Sequence, residues 1–277
     1  MVYGIIDIET WIGSNAPSVG QKTMENSIPV VLSSDQSAIP VTFTTPAGTT
    51  PILSLGDISL TDITTSPIRR TTYTEQTVNF FGSIKSSVGT DTSAGTGART
   101  VRIYYLDEAG TASGTEEAIL NGTTSVNLVN QKCFIEKMEV LTAGSNGVSA
   151  GIISLFTGLN GTGTLVGTIS AGTTQTFWAH HYVISGKTSS ITSVFHGNSS
   201  TVSSNNSYAV LRSKPIGITD AVETQISDFV AVAGASNPFN RAYASPIKVV
   251  GPARIIMYVT TGGSATNIYR GSFDSNE

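Results

Sequence analysis

The chain has little of the chemistry on which metal sites, disulfide frameworks and nucleic-acid surfaces depend. Its 277 residues include one cysteine and three histidines, and charged residues make up 12%. A single cysteine, Cys133, excludes an intrachain disulfide and a zinc site built from several thiolates. Because 15 basic residues stand against 19 acidic ones, no excess of positive charge is present to attract nucleic acid.

Long apolar runs are also missing. No stretch approaches the roughly 18 apolar residues that are typical of a membrane-spanning helix. Residues 1–12 carry Asp7 and Glu9 and no basic segment, which differs from a secretory signal peptide. We therefore expect a protein made in a cytosol, with no membrane partner. Its apolar content of 39% is sufficient for a folded core.

The most regular pattern is a β-hairpin between residues 99 and 120. Val101, Ile103 and Tyr105 alternate with polar or mixed residues, as is typical of a half-buried strand. A turn rich in Asp and Gly follows, and then a second apolar-ended run. Because a lone hairpin is marginal in water, the pattern requires a surrounding sheet.

Short strands continue after this hairpin, separated by turn signals such as Asn146-Gly147 and Asn160-Gly161. They are predicted at 134–141, 151–157, 164–170, 176–184, 188–195, 208–212, 248–250 and 254–260. A helix competes for 134–141, and for 220–229 helix and strand are equally favoured. Turns about every ten residues indicate an all-β fold, a β-sandwich with jelly-roll-like spacing.

The first quarter of the chain has a different character. It holds six of the ten prolines, namely Pro17, Pro29, Pro40, Pro46, Pro51 and Pro67. Because proline removes a ladder donor and extends its predecessor, these residues predict an extended arm instead of a central sheet. We divide the chain into an arm (1–55), connecting strands with a Ser/Gly/Thr-rich hinge (56–96) and a β-sandwich (97–277).

The apolar side chains in the arm need to be buried against other residues. The sequence Ile28-Pro29-Val30 is repeated as Ile39-Pro40-Val41. Two such extended pieces suit edge strands, where proline is tolerated. Fully extended, about 45 residues reach on the order of 150 Å, so the arm is predicted to bind another subunit. The predicted partner-binding residues are Trp11, Ile28, Val30, Ile39 and Val41.

No motif for catalysis or cofactor binding is complete. Gly186-Lys187-Thr188 resembles the end of a phosphate loop, but His181 occupies the position of its first glycine. The acidic pairs at 107–108 and 116–117 are interpreted as solvated faces, and Cys133 as a small buried residue. A histidine pair across strands, involving His196, remains open as an interface metal site. Trp178, Tyr182 and His181 are candidates for ligand binding, with core or interface packing as the alternative for the two aromatics.

Two stretches carry a family resemblance. Val19-Gly-Gln-Lys-Thr-Met-Glu-Asn-Ser-Ile-Pro-Val-Val-Leu-Ser-Ser-Asp-Gln-Ser-Ala-Ile-Pro-Val41 closely resembles a segment near the N-termini of tailed-bacteriophage structural proteins. Residues 95–103, 119–126 and 169–172 are similar to β domains of the same virion proteins. The resemblance implies a non-enzymatic head-decoration, neck, baseplate or fibre protein, commonly trimeric, assembled in the bacterial host cytoplasm.

Residues and resemblance together predict a virion structural component without catalytic residues, cofactors or metals. Its partners are expected to be other virion subunits and further copies of itself, with a trimer favoured. A receptor- or glycan-binding fibre domain is the alternative, and a polysaccharide hydrolase is a third class.

Overall fold

The computed structural model describes residues 51–60, 65–199, 207–218, 221–231, 239–261 and 267–277. All of them belong to one compact unit, Gly48–Glu277. Throughout these ranges the protein is all-β, built from antiparallel sheets, which confirms the predicted fold class.

Sixteen strands follow one another through the described ranges. They are β1 (Pro51–Leu60), β2 (Thr65–Pro67), β3 (Ser83–Ser86), β4 (Ala98–Leu106), β5 (Ser113–Ile119), β6 (Val126–Asn127), β7 (Phe134–Ala143), β8 (Ile153–Phe156), β9 (Leu165–Ile169), β10 (His180–Val183), β11 (Thr188–Asn198), β12 (Ser207–Pro215), β13 (Thr224–Ala231), β14 (Phe239–Val250), β15 (Ala253–Thr261) and β16 (Asn267–Asn276).

The first sandwich joins the start of the described chain to its C-terminal half. One sheet has the order β1-β16-β11-β14, and the other has the order β10-β15-β12-β13 with β2 beside β15. Fully buried side chains of both sheets, such as Val194, Leu211, Met257 and Phe273, form one apolar cluster. Because antiparallel strands alternate inward and outward residues, the two inner faces meet in a single core.

The second sandwich is formed by the middle of the chain. Its sheets have the orders β6-β3-β8-β9 and β5-β4-β7, and Ile84, Val101, Ile103, Met138 and Leu155 are fully buried in its core. The predicted hairpin is confirmed as β4 and β5, which pair antiparallel. Residues 134–143 form a strand and not a helix, since β7 pairs with β4 along most of its length.

Two further local predictions have an outcome. The Asn160-Gly161 turn signal lies between β8 and β9, and both residues have positive φ, 57° and 74°. For residues 220–229 the sequence favoured helix and strand equally. The described part is a strand, because Thr224–Ala231 pairs with β12. Tertiary pairing outweighs the helical spacing of its apolar residues.

The predicted segment boundaries need correction. β1 runs through residue 55 and pairs with β16 from Pro51↔Asn276 to Leu60↔Asn267, so the arm ends before β1. The predicted connector contains buried core residues of both sandwiches, including Ile68 and Ile84. The predicted body is two sandwiches instead of one, because strands distant in sequence pair with each other.

Candidate functional site

A groove lies between β1 and the second sandwich. We call it the β1 groove. It has a volume of about 720 Å³ and is bordered by Leu53 of β1, Tyr104 of β4, Lys137 of β7 and Tyr182 of β10. A recess of about 160 Å³ shares Leu53 and Lys137 with it and adds Leu55. The groove therefore runs along the first residues of β1.

The β1 wall of the groove is apolar and exposed. Leu53 is 65% exposed and Leu55 37% exposed. The register places Ser54 opposite Phe273, a core residue, whereas Leu53 lies opposite Asp274. Since successive side chains point to opposite faces, the two leucines face away from the core of their own sandwich. Among the described strands β1 pairs only with β16, so its other edge has no strand partner there.

The opposite wall contains a carboxylate–histidine pair. Glu136 Oε1 lies 3.0 Å from His181 Nδ1, and the backbone N–H of Tyr182 donates to Glu136 Oε2 at 2.8 Å. Burial disfavours charged His181, but Glu136 and Glu277 outweigh it and raise the pKa of His181. Burial raises the pKa of Glu136, but His181, His180 and the Tyr182 N–H together lower it below its ordinary value. Glu136 and His181 thus form a hydrogen-bonded carboxylate–histidine pair at the groove wall.

Behind this wall lies an aromatic cluster that joins β10 to the segment after β2. Tyr73 Oη and Tyr182 Oη are 2.6 Å apart, and the Tyr73 and Trp178 ring centroids are 4.7 Å apart. Trp178 Nε1 donates to Thr71 Oγ1 at 3.0 Å. The cluster is packed and hydrogen-bonded at the place where the two sandwiches meet.

The predicted ligand-binding residues are buried in the structure. Trp178, Tyr182 and His181 are 4%, 1% and 4% exposed. Tyr182 and His181 border the β1 groove, but neither aromatic residue has a free ring face for a sugar. Packing, the alternative interpretation of Trp178 and Tyr182, describes both. The predicted arm residues Trp11, Ile28, Val30, Ile39 and Val41 lie outside the described residues.

The histidines do not converge on a metal. His196 Nδ1 donates to the Arg270 carbonyl at 3.2 Å, and its Nε2 shares a hydrogen bond with Ser207 Oγ at 2.8 Å. His180 contacts the Glu136 carbonyl at 2.8 Å instead. Across the described ranges, no three His, Cys, Asp or Glu side chains are grouped to hold a metal ion.

The other side chains considered in the sequence are also in structural roles. Glu117 is on an exposed face, but Glu116 is buried and forms an ion pair with Lys132 at 2.8 Å, which corrects the solvated-face interpretation for Glu116. Asp107 accepts hydrogen bonds from Thr111 within its own turn. Cys133 is buried as predicted, and burial raises the pKa of its thiol to about 12.

Protonation of buried histidines makes stability depend on pH. Burial lowers the pKa of His180 and of His196 to about 4. His180 is held neutral because Arg69 donates to its Nδ1 at 3.4 Å while Nε2 donates to backbone carbonyls. Below the ordinary histidine pKa of about 6.5 the unfolded chain binds more protons than the folded one, so stability falls between about pH 6.5 and 4. The raised pKa of His181 acts oppositely, and its contribution is lost as pH rises.

His196→Gln is expected to flatten this dependence. The glutamine amide oxygen can still accept from Ser207, and no imidazole remains to be protonated. One buried histidine adds up to about 1.4 kcal/mol per pH unit to the slope. Urea unfolding at pH 7, 6 and 5 measures the change. Equal slopes for variant and parent protein would show that His196 does not titrate in this range.

The comparisons with known proteins are sparse. No family model matches the chain, and no curated protein matches it. The chain is similar to a solved structure of infectious bursal disease virus, Gx strain, with a TM-score of 0.27 and 10% identity over 82% of this chain and 71% of that chain. A second similar structure is the VP2 subviral particle of that virus, with a TM-score of 0.21, 11% identity and the same coverage. At TM-scores of this size the likeness carries no weight for function.

In the described part of the chain, no helix has the length and apolar character needed to cross a membrane.

Proposed function

We propose that the protein is a non-enzymatic structural component of a virion, of the tailed-bacteriophage type. The residues before β1 anchor it to other virion subunits, and the β body oligomerises, with a trimer favoured. The observation that carries the proposal is the exposed apolar wall of β1, at Leu53 and Leu55, directly after an apolar, proline-rich arm. Exposed apolar surface beside an unpaired strand edge is typical of protein–protein contact.

The described polar clusters support a structural role. Glu136 is engaged by His181, Glu116 is engaged by Lys132, and each contact lies in or beside a sandwich core. The likeness of residues 19–41 to phage structural proteins is consistent with an arm that binds at the particle. The burial of Trp178 and Tyr182 weighs against the alternative, a glycan-binding fibre domain.

Deletion of residues 1–45 tests the proposal. The remaining chain keeps β1 and every other described strand, so its circular dichroism and thermal midpoint are expected to match those of the full chain. Its association is expected to be lost, because the arm side chains that bury apolar surface on the partner are gone. Sedimentation velocity measures self-association, and co-purification with virions measures incorporation.

A full-length variant separates side-chain contacts from arm length. It carries serine in place of Ile28, Val30, Ile39 and Val41, which keeps the chain length and the prolines. We expect it to behave like the deletion. Normal incorporation of both variants into particles would overturn the anchoring role.

A further inference from the structure

The β1 groove offers a template for one more strand. Its apolar wall is formed by Leu53 and Leu55, and the edge of β1 away from β16 has no partner among the described strands. An extended segment added to such an edge gains backbone hydrogen bonds, and alternate side chains enter the adjoining cavity. A volume of about 720 Å³ is in the range of ligand-binding clefts.

The chemistry of the groove favours an uncharged occupant. The side chains that β1 contributes, Ile52 and Leu53, are apolar. The charged side chains that line the groove already have partners: Glu136 is hydrogen-bonded to His181, Lys137 is paired with Glu139, and Glu277 accepts from the Ile184 N–H. Residues 27–41 of this chain contain a single charged residue, Asp35, and two Ile-Pro-Val units. Proline holds a segment extended and is tolerated in an edge strand.

Chain length allows a second copy to supply the segment. A compact unit of about 230 residues has a radius of gyration of about 17 Å, and hence a diameter of about 45 Å. Along an extended chain, residues 27–41 lie between roughly 30 and 80 Å from Pro51, where the groove begins. That span includes the distance to the same groove on an adjacent body.

We infer that the β1 groove receives residues 27–41 of a second copy of this chain as an added edge strand. This inference rests on the proposed function, since an arm that filled its own groove would join no subunits. Beyond that function, the inference names the site on the β body to which the arm binds, namely the β1 groove. Copies linked in this way exchange arms around a closed ring, and each copy both donates and receives.

Leu53→Lys in the full chain tests the inference. A lysine there places a charge on the apolar wall, and it faces Asp274 on β16, so the pairing of β1 with β16 is retained. The matched control is Leu159→Lys, at a leucine that is 49% exposed in the turn between β8 and β9. We expect self-association, measured by sedimentation, to weaken at least tenfold for Leu53→Lys and to stay unchanged for Leu159→Lys. Both variants are expected to keep the thermal midpoint of the parent within a few degrees.

A second measurement identifies the occupant. Both ¹⁵N-labelled and unlabelled copies carry benzoylphenylalanine at position 53. They are mixed at a dilution that allows the copies in each oligomer to exchange, and the mixture is then concentrated. Irradiation and mass spectrometry are expected to give cross-links from position 53 to residues 27–41 that join a labelled to an unlabelled copy. Cross-links only within one copy would show that the groove holds its own arm and would overturn the inference.

Other outcomes separate the two proposals. Absence of cross-links to residues 27–41, or undiminished association of Leu53→Lys, overturns the groove assignment. If deletion of residues 1–45 still abolishes association in that case, the anchoring role of the arm stands and its receptor lies elsewhere. If the deletion leaves association and incorporation intact, the proposed function itself fails.

Discussion

Asp91→Ala is expected to destabilise the protein by about 3–5 kcal/mol, because it removes the buried acceptor that holds three chain segments together. The Asp91 side chain is fully buried. Its Oδ1 accepts from the backbone N–H groups of Ala98 at 2.7 Å and Ala150 at 2.8 Å. Its Oδ2 accepts from Gly151 N at 2.9 Å and Ser86 Oγ at 2.6 Å. Alanine would leave these donors buried without an acceptor, and each costs desolvation free energy.

The matched control is Asp107→Ala. Asp107 also accepts from backbone N–H groups, those of Thr111 and Ala112, but in an exposed turn where water can replace it. Its loss is expected to cost about 1 kcal/mol. Urea unfolding of both variants at pH 7 measures the difference. Equal costs would show that burial does not make the Asp91 contacts special.

The Asp91 site also explains why part of the sequence was misinterpreted. Residues 86–97 are rich in Ser, Gly and Thr, and that composition predicted a hinge. The structure shows tight packing instead, since a Cβ on Gly97 would lie 2.0 Å from Asp91 Oδ1. The small residues let the backbone close around a carboxylate. Composition alone does not distinguish a flexible loop from one that wraps a buried group.

Local patterns were sufficient for much of the fold. The alternation of Val101 and Ile103 predicted β4, and the turn signal at Asn160-Gly161 predicted the β8–β9 connection, because both depend only on neighbouring residues. The pairing of β1 with β16 joins the two ends of the described chain. Alternation within one strand carries no information about so distant a partner, so the sequence predicted one sandwich and an arm that was too long.

The candidate site was predicted in part. His181 and Tyr182 were singled out, and both border the β1 groove, but their burial depends on β7 and the segment around Tyr73. Leu53 and Leu55 were missed. A signal for them was present, since Ile52, Leu53 and Leu55 place apolar side chains on both faces of one strand. Such a strand is expected to be packed against other residues on both faces. In the structure, the core of its own sandwich packs against only one face of β1, and Leu53 and Leu55 on the other face are exposed.

Lys132→Met is expected to cost about 3–5 kcal/mol, because it leaves the Glu116 carboxylate buried without its cation. Lys132 is fully buried and Glu116 is 7% exposed, and their charged atoms lie 2.8 Å apart. Lys132 Nζ also donates to the carbonyls of Phe81 at 2.7 Å and Asn130 at 2.5 Å. Burial lowers the pKa of Lys132 overall, although the hydrogen bond and the charge of Glu116 act in the opposite direction. The Lys132 ammonium group thus links Glu116 of β5 to the segments that contain Phe81 and Asn130.

A double-mutant cycle isolates the ion pair from these carbonyl contacts. In the parent protein Val129 N donates to Glu116 Oε1 at 2.7 Å. Glu116→Gln removes the charge but keeps an oxygen that can accept this hydrogen bond. Lys132→Met with Glu116→Gln should cost less than the sum of the single variants, by about 1–3 kcal/mol, since no buried charge is left unpaired. Arg102→Met, which breaks the exposed pair with the adjacent Glu117, is the control and should change stability far less. Additive costs in the cycle, measured by urea unfolding, would mean that Lys132 acts through its carbonyl contacts and not through Glu116.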